Sequence, residues 1–294
     1  MYFIGKNSIE CRMERKLLLL TLKNLDKIGN VTAKKIMDSI LHQDIDLEKL
    51  YKILQEFPKV KIADFNILEK ANFEAEKMLN MLSTTNVNII TYLDKDYPQS
   101  FLNINDTPVF LFYIGDIKII SQKCTTIVGM RNPSDKGRKI AYKLSAKLCK
   151  NEIIVSGLAE GIDTEAHKAA IENDGKTIAI LGHGLDIIFP PSNKSLSKEI
   201  STTGGLIISE YPLGQNYSKY TFVARDRLQS ALSEKVFIIE TNEDGGTMHT
   251  VKKALDYNKE VFVFKSKSQD YKLPSGNKKL IEKGLKVFNE DYYV

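Results

Sequence analysis

Residues 125–163 read TTIVGMRNPSDKGRKIAYKLSAKLCKNEIIVSGLAEGID, and this stretch decides the fold. TTIVG (125–129) and EIIVSG (152–157) are short apolar runs, and the segment from Ser134 to Lys150 between them carries its apolar residues at helical spacing. Strands that are apolar along their whole length are buried on both faces, and such strands joined through a helix form right-handed βαβ crossovers. Downstream the alternation continues. A helix over 164–172 precedes KTIAILG (176–182), a helix over 193–202 precedes GLIISE (205–210), and KVFIIE (235–240) and EVFVF (260–264) extend the series. The pattern predicts an α/β fold, an extended Rossmann-like parallel sheet with helices on both faces.

Upstream the period changes. Residues 15–41 show a helical pattern interrupted at Lys27-Ile28-Gly29-Asn30, and 47–54 and 67–82 repeat it. Residues 87–92 and 109–113 read as strands. This predicts a small helical domain over 1–85 and the α/β domain over 86–294. LDKIGNVTAKKI (25–36) looks like a helix-hairpin-helix turn, with Gly29 allowing the turn and N–H groups near Asn30 to Thr32 placed to touch a phosphate. In isolation such a segment is more often a plain helix connection.

Forty-two basic and 37 acidic residues leave a net charge of +5, which permits a polyanionic partner without demanding one. No apolar run approaches the roughly 18 residues needed to cross a bilayer, and the N-terminus lacks the pattern of a secretion signal. Cys11, Cys124 and Cys149 are odd in number and widely spaced, as neither a disulfide framework nor a CxxC metal knuckle would be. A cytoplasmic protein with no metal and no cofactor is expected.

In an open parallel sheet, ligands bind beyond the carboxyl ends of the strands at the switch point. The loops there are rich in glycine: Gly129-Met130-Arg131, Ser156-Gly157, Gly182-His183-Gly184, and Asp244-Gly245-Gly246-Thr247. Glycine lets backbone N–H groups approach an anion, and a helix N-terminus behind it adds positive charge. Neither the dinucleotide GxGxxG nor the GxxxxGK[ST] loop is complete. Arg131, at the start of a helix, is placed to fork onto a phosphate. Residues 219–227, KYTFVARDR, interleave cations and aromatics, and Phe222 and Arg225 share a helix face, as suits an unstacked base beside its phosphate. From spacing alone, a core position for Phe222 is slightly the better reading. Asp163 reads as a helix cap and Asp186 opens a loop. Glu160 and Glu210 are turn or dipole residues, and His167, His183 and His249 are too scattered for a metal. Ser156 has no readable triad partners.

GMRNPS, SGLAEGIDTEAH, LGHGLDIIFPPSN, SEYPLG and FVARDRLQSALS follow one another in the order and spacing of the DprA (Smf) DNA-processing proteins, and the chain resembles that family over nearly its whole length, most strongly from Thr125 to Phe264. The resemblance implies a homodimer that binds single-stranded DNA in a basic pocket of the extended Rossmann domain and delivers it to a RecA-type recombinase in natural transformation. It implies DNA contacts from Gly129, Arg131, Ser156, Gly157, Lys194, Lys219, Phe222, Arg225, Arg227 and the turn Gly245-Gly246-Thr247. It implies a sterile-alpha-motif type for the helical domain. No winged helix is expected after the Rossmann domain. One departure is Asp226, where the family usually has asparagine; a carboxylate there repels phosphate unless an arginine pairs with it.

The alternative is a nucleotide-sensing or nucleoside-monophosphate-processing Rossmann protein. Met248, His249 and Thr250 follow the glycine turn where such a hydrolase needs a glutamate, which counts against the enzyme. The expectation is a binding protein and not an enzyme, with no catalytic residue assigned.

Overall fold

The computed structural model describes residues 13–58, 60 and 62–293. Cys11 and most of the N-terminal stretch weighed as a secretion signal, residues 1–12, lie outside the described residues. The chain divides into two compact units, Met1–Thr85 with Asn105–Val109, and Asn86–Ile104 with Phe110–Val294.

The first unit is helical: α1 (Arg15–Lys23), α2 (Asn30–Ile40), α3 (Leu47–Glu56) and α4 (Phe65–Ser83). Each helix turns an apolar stripe inward, so that Leu19, Leu22, Ile36, Leu50, Leu54 and Leu68 are fully buried. Asp46 caps α3 by accepting from Lys49 N at 2.7 Å, and Asp64 caps α4 by accepting from Asn66 N at 3.1 Å. The α1–α2 turn corrects one expectation. The left-handed residue is Lys27 (φ 64°), whereas Gly29 is extended (φ −80°, ψ 177°) and serves as the N-cap of α2. The glycine is therefore not what makes the turn tight.

The second unit begins with β1 (Asn88–Thr91), α5 (Gln99–Leu102) and β2 (Phe110–Gly115). The alternation follows: β3 (Cys124–Val128), α6 (Asp135–Leu148), β4 (Ile153–Ser156), α7 (Ile162–Glu172), β5 (Thr177–Leu181), α8 (Lys194–Thr202) and β6 (Leu206–Ser209). It closes with α9 (Lys219–Leu232), β7 (Lys235–Ile238), α10 (Thr247–Asp256), β8 (Glu260–Phe264), α11 (Ser275–Glu282) and β9 (Lys286–Phe288). The strands make one nine-stranded sheet in the order β1-β2-β6-β5-β4-β3-β7-β8-β9. From β6 to β9 every pairing is parallel. Strand β2 joins β6 antiparallel, and β1 joins β2 antiparallel, so the sheet is mostly rather than wholly parallel.

Side-chain alternation along β7 distributes the core. Phe237 packs with Ile140 and Leu144 of α6 and Ala166 of α7 on one face, and Val236 and Ile238 pack with Val251 and Ala254 of α10 on the other. Cys124 and Cys149 are both buried and unpaired with each other. Among the described residues no helix is long and apolar enough to cross a membrane.

Candidate nucleic-acid interface

The chain builds the sheet outward from β3 in one direction as far as β6, then returns to place β7 on its other side. The loops leaving β3, β4 and β7 therefore splay apart at one end, and the first turns of α9 and α10 meet them there. A cleft of about 680 Å³ opens at this switch point.

The β3 loop is held by a buried carboxylate that sequence reading did not single out. Glu240, at the end of the KVFIIE run, accepts from Ser134 N at 2.7 Å, Ser134 Oγ at 2.6 Å and Tyr271 Oη. Its carbonyl accepts from Met130 N at 2.8 Å. Behind the loop, Gly161 takes φ +79°, and a Cβ there would stand 2.4 Å from the Arg131 carbonyl oxygen. Only glycine allows α7 to start so close beneath Arg131. The result is an exposed Arg131 at the cleft mouth, its guanidinium carbon 5.4 Å from the centroid of the Phe222 ring.

Helix α9 supplies one wall. Ser218 and Thr221 cap its start reciprocally. One face then presents Lys219, Phe222, Asp226 and Gln229 to the cleft, at the three- and four-residue steps of a helix face. Phe222 belongs to an aromatic group: Phe189 stacks on Tyr217 at 3.9 Å between centroids, and Tyr217 lies 5.9 Å from Phe222 at 25°. Gly245, Gly246 and Thr247 line the facing wall at the N-terminus of the ten-residue α10, whose dipole directs positive charge into the cleft.

The floor is a buried charge cluster. Arg225 is 6% exposed. Its Nη1 donates to the Gly157 carbonyl at 2.9 Å and to the Ile180 carbonyl, and its Nε donates to Asp226 Oδ1 at 3.1 Å. A Cβ on Gly157 would stand 2.1 Å from Arg225 Nη1, so glycine here makes room for the guanidinium. Asp163 Oδ2 accepts from Gly157 N at 3.0 Å and Ala159 N at 3.4 Å. It therefore braces the β4–α7 loop, which corrects its reading as a helix cap, because the N-cap of α7 is Gly161. Burial raises the pKa of Asp163 despite the opposing pull of Arg225. Burial also pushes the Asp226 carboxyl up to about 6, Asp163 adding to the rise while Arg225 and His249 oppose it. The arginine that Asp226 needs is therefore its own neighbour.

The structure brings Gly129, Arg131, Lys219, Phe222, Arg225, Gly245, Gly246 and Thr247 to the cleft. It does not bring the others there as open contacts. The Ser156 hydroxyl is fully buried and donates to the Ile127 carbonyl at 2.7 Å. Gly157 lines a small side lobe beneath Arg225. Lys194 is exposed at the start of α8, outside the cleft lining. Arg227 is buried and paired with Glu210 through two contacts of 2.8 Å, on a different face of α9 from Arg225. A helix turns about 200° over two residues, so the two arginines of the ARDR run diverge. Glu210 is thereby committed to Arg227.

Among the residues set aside, Glu160 accepts from Ser192 Oγ at 2.8 Å and Asp186 accepts from Gly214 N at 2.9 Å. His183 is buried with its ring edge toward Tyr217 and Phe222, and burial lowers its pKa. His167 bonds Thr177 at 2.7 Å, and burial pushes it down to about 3. His249 does line the cleft. Phe189, Tyr217, Asp163 and Asp226 are among the cleft residues that sequence reading did not assign as contacts. Tyr217 was within reach of it, because the basic-aromatic run that starts at Lys219 extends two residues upstream.

A family model described as DNA recombination-mediator protein A matches residues 88–292. The DNA processing protein DprA of Streptococcus pneumoniae is 38% identical over 195 residues, covering 66% of this chain and 68% of that protein. The Smf protein of a Synechocystis species is 35% identical over 232 residues, 77% of this chain, which spans 58% of that protein's length. An X-ray structure of the S. pneumoniae protein superposes with a TM-score of 0.80 at 29% identity, covering 97% of this chain and 98% of that one. A structure of DNA processing protein A from Helicobacter pylori, described for its single-stranded DNA binding mode, superposes with a TM-score of 0.64 at 30% identity, covering 72% of this chain and 95% of that one.

Proposed function

The chain belongs to the DNA recombination-mediator protein A family, and on that premise we propose that its switch-point cleft binds single-stranded DNA. One observation carries the reading: a single cleft joins an aromatic group, two exposed cations and a glycine turn at a helix N-terminus. Arg131 leaves its perch over Phe222 for a phosphate, and Lys219 holds a second phosphate. The aromatic wall centred on Phe222 stacks a base, and the Gly245–Thr247 turn donates N–H groups. Arg225 acts from below, fixing the β4 loop and Asp226. Arg227 and Ser156 are structural, and Lys194 meets DNA only along the outer surface.

The H. pylori relative is described as a single-stranded DNA binder, and this supports the same ligand here. The protein acts as a cytoplasmic homodimer that protects single strands and hands them to a RecA-type recombinase in natural transformation. It is a binding protein and not an enzyme. The helical domain over 1–85 is of sterile-alpha-motif type.

Fluorescence anisotropy with a labelled single-stranded oligomer, titrated at two salt concentrations with duplex DNA as control, tests the reading. Tight binding that prefers the single strand and weakens steeply with salt is expected. Absence of binding at low salt refutes it.

A further inference from the structure

The cleft face of α9 carries three different chemistries one turn apart: a cation at Lys219, an aromatic plate at Phe222 and a carboxylate at Asp226. These match in order the phosphate, the plane and the edge of one unstacked nucleotide. Residues four apart on a helix are neighbours about 5–6 Å apart between Cβ atoms, which is the reach from a ring on Phe222 to a hydrogen-bonding group at Asp226. Asp226 is held for that task. Its Oδ1 is fixed by Arg225 Nε at 3.1 Å, and Arg225 is locked in turn on the Gly157 and Ile180 carbonyls. The side chain keeps a 12% exposed surface on the cleft.

We infer that Asp226 is a specificity-determining residue that reads the edge of the stacked base, favouring bases with an exocyclic amine over thymine. The inference rests on the single-stranded DNA reading above. An ionised carboxylate is an acceptor only. Cytosine offers it an N4 amino group, the pairing by which carboxylates read cytosine elsewhere. Thymine offers at that position a carbonyl oxygen, which an anion repels. The titratable groups facing Asp226 are Arg225 on its own helix, Asp163 on α7 and His249 on α10. Arg225 and Asp163 offset one another on the floor, and Arg225 has no acceptor atom with which to read a base. The carboxyl of Asp226 titrates at about 6. Below that pH it becomes a donor as well as an acceptor, and its discrimination fades.

The test compares short oligo-dC and oligo-dT of equal length, too short to fold on themselves, by competition anisotropy. Both are pyrimidines, so stacking differs little and the edge decides. The wild-type chain well above pH 6 is expected to bind oligo-dC about tenfold tighter, the low end of one good base-edge contact. Asp226→Asn, whose amide offers both a donor and an acceptor, is expected to bring the ratio close to one. The wild-type ratio is expected to fall in the same way below pH 6, a measurement that needs no substitution. Equal wild-type affinity for the two oligomers, or a ratio unmoved by both Asp226→Asn and pH, overturns the inference and leaves single-stranded binding standing. Failure to bind either oligomer overturns both.

Discussion

Replacing Phe222 with alanine isolates the stacking step from the phosphate contacts. The ring is half-buried, with Tyr217 at 5.9 Å, Phe189 at 5.8 Å and the Arg131 guanidinium at 5.4 Å. Losing a base–aromatic stack costs about 1–3 kcal/mol per base. The Phe189–Tyr217 stack at 3.9 Å survives the substitution and retains part of the platform, which argues for the middle of that range. The expected loss is about 2 kcal/mol, or roughly thirtyfold in affinity for a single-stranded oligomer. Arg131 loses only its resting place in the free protein, so the number of phosphates neutralised is unchanged, and so is the slope of log affinity against log salt. Anisotropy titrations at several salt concentrations measure both quantities, and a thermal melt checks that the variant is folded. Because Phe222 lies outside the sealed core, its removal should destabilise the chain by less than the ~3–5 kcal/mol of a core phenylalanine. Affinity within about twofold of wild type would refute the stacking role, and a loss of affinity accompanied by a shallower salt slope would show that the ring acts by placing cations.

Arg131→Ala should also weaken binding but, unlike Phe222→Ala, should reduce the salt slope by about 0.7 for one single-strand phosphate contact; an unchanged slope in salt titrations would remove Arg131 from the phosphate path. Arg227→Ala removes both contacts to a Glu210 side chain that is only 12% exposed and should lower stability in urea unfolding by up to about 3–5 kcal/mol, while the folded fraction keeps its affinity for DNA. Loss of affinity without loss of stability would return Arg227 to the interface. Burial pushes Glu290 up, but Lys136 at 2.8 Å, the Ser266 hydroxyl and Lys267 N outweigh it and hold the carboxyl at about 2, below its ordinary 4.5. The folded-state pKa is depressed, so this stabilisation is present above pH 4.5 and is lost as pH falls toward 2. The pair is about a third exposed, so solvent screens it and its contribution is modest. Melting curves of Glu290→Gln should lie slightly below wild type near neutrality and converge with it in acid; a constant gap across pH would sink the assignment.

The α/β core was legible because both-face burial writes itself into continuous apolar runs such as TIAIL (177–181) and LIIS (206–209), and the helices between them carry a 3.6-residue period. The antiparallel edge made by β1 and β2 was not legible as such. Strand direction depends on where the connecting chain re-enters the sheet, and no local pattern records that. In the helical unit, periodicity marked the helices, but the left-handed residue of the α1–α2 turn proved to be Lys27 beside a more inviting Gly29. Packing on both sides of a turn overrides the intrinsic preference of a single residue.

The sequence by itself determined the layers, the strand ends and the glycine loops, because these follow from periodicity and from the local cost of a side chain at a turn. Only the tertiary structure decided what each polar residue of those loops does. Arg225 and Arg227 stand two positions apart in one motif, yet one fixes the cleft floor through Gly157 and Asp226, and the other is paired with Glu210 on another side of the helix. Glu240 owes its role to Ser134 and Tyr271, partners distant in the chain that meet it only in the folded sheet, whereas Asp163 and Asp226 find theirs nearby in the chain, at Gly157 and at Arg225. Buried charges such as Arg227 and Glu240 find their partners in space, and the identity of those partners is a property of the folded sheet, not of the residues on either side.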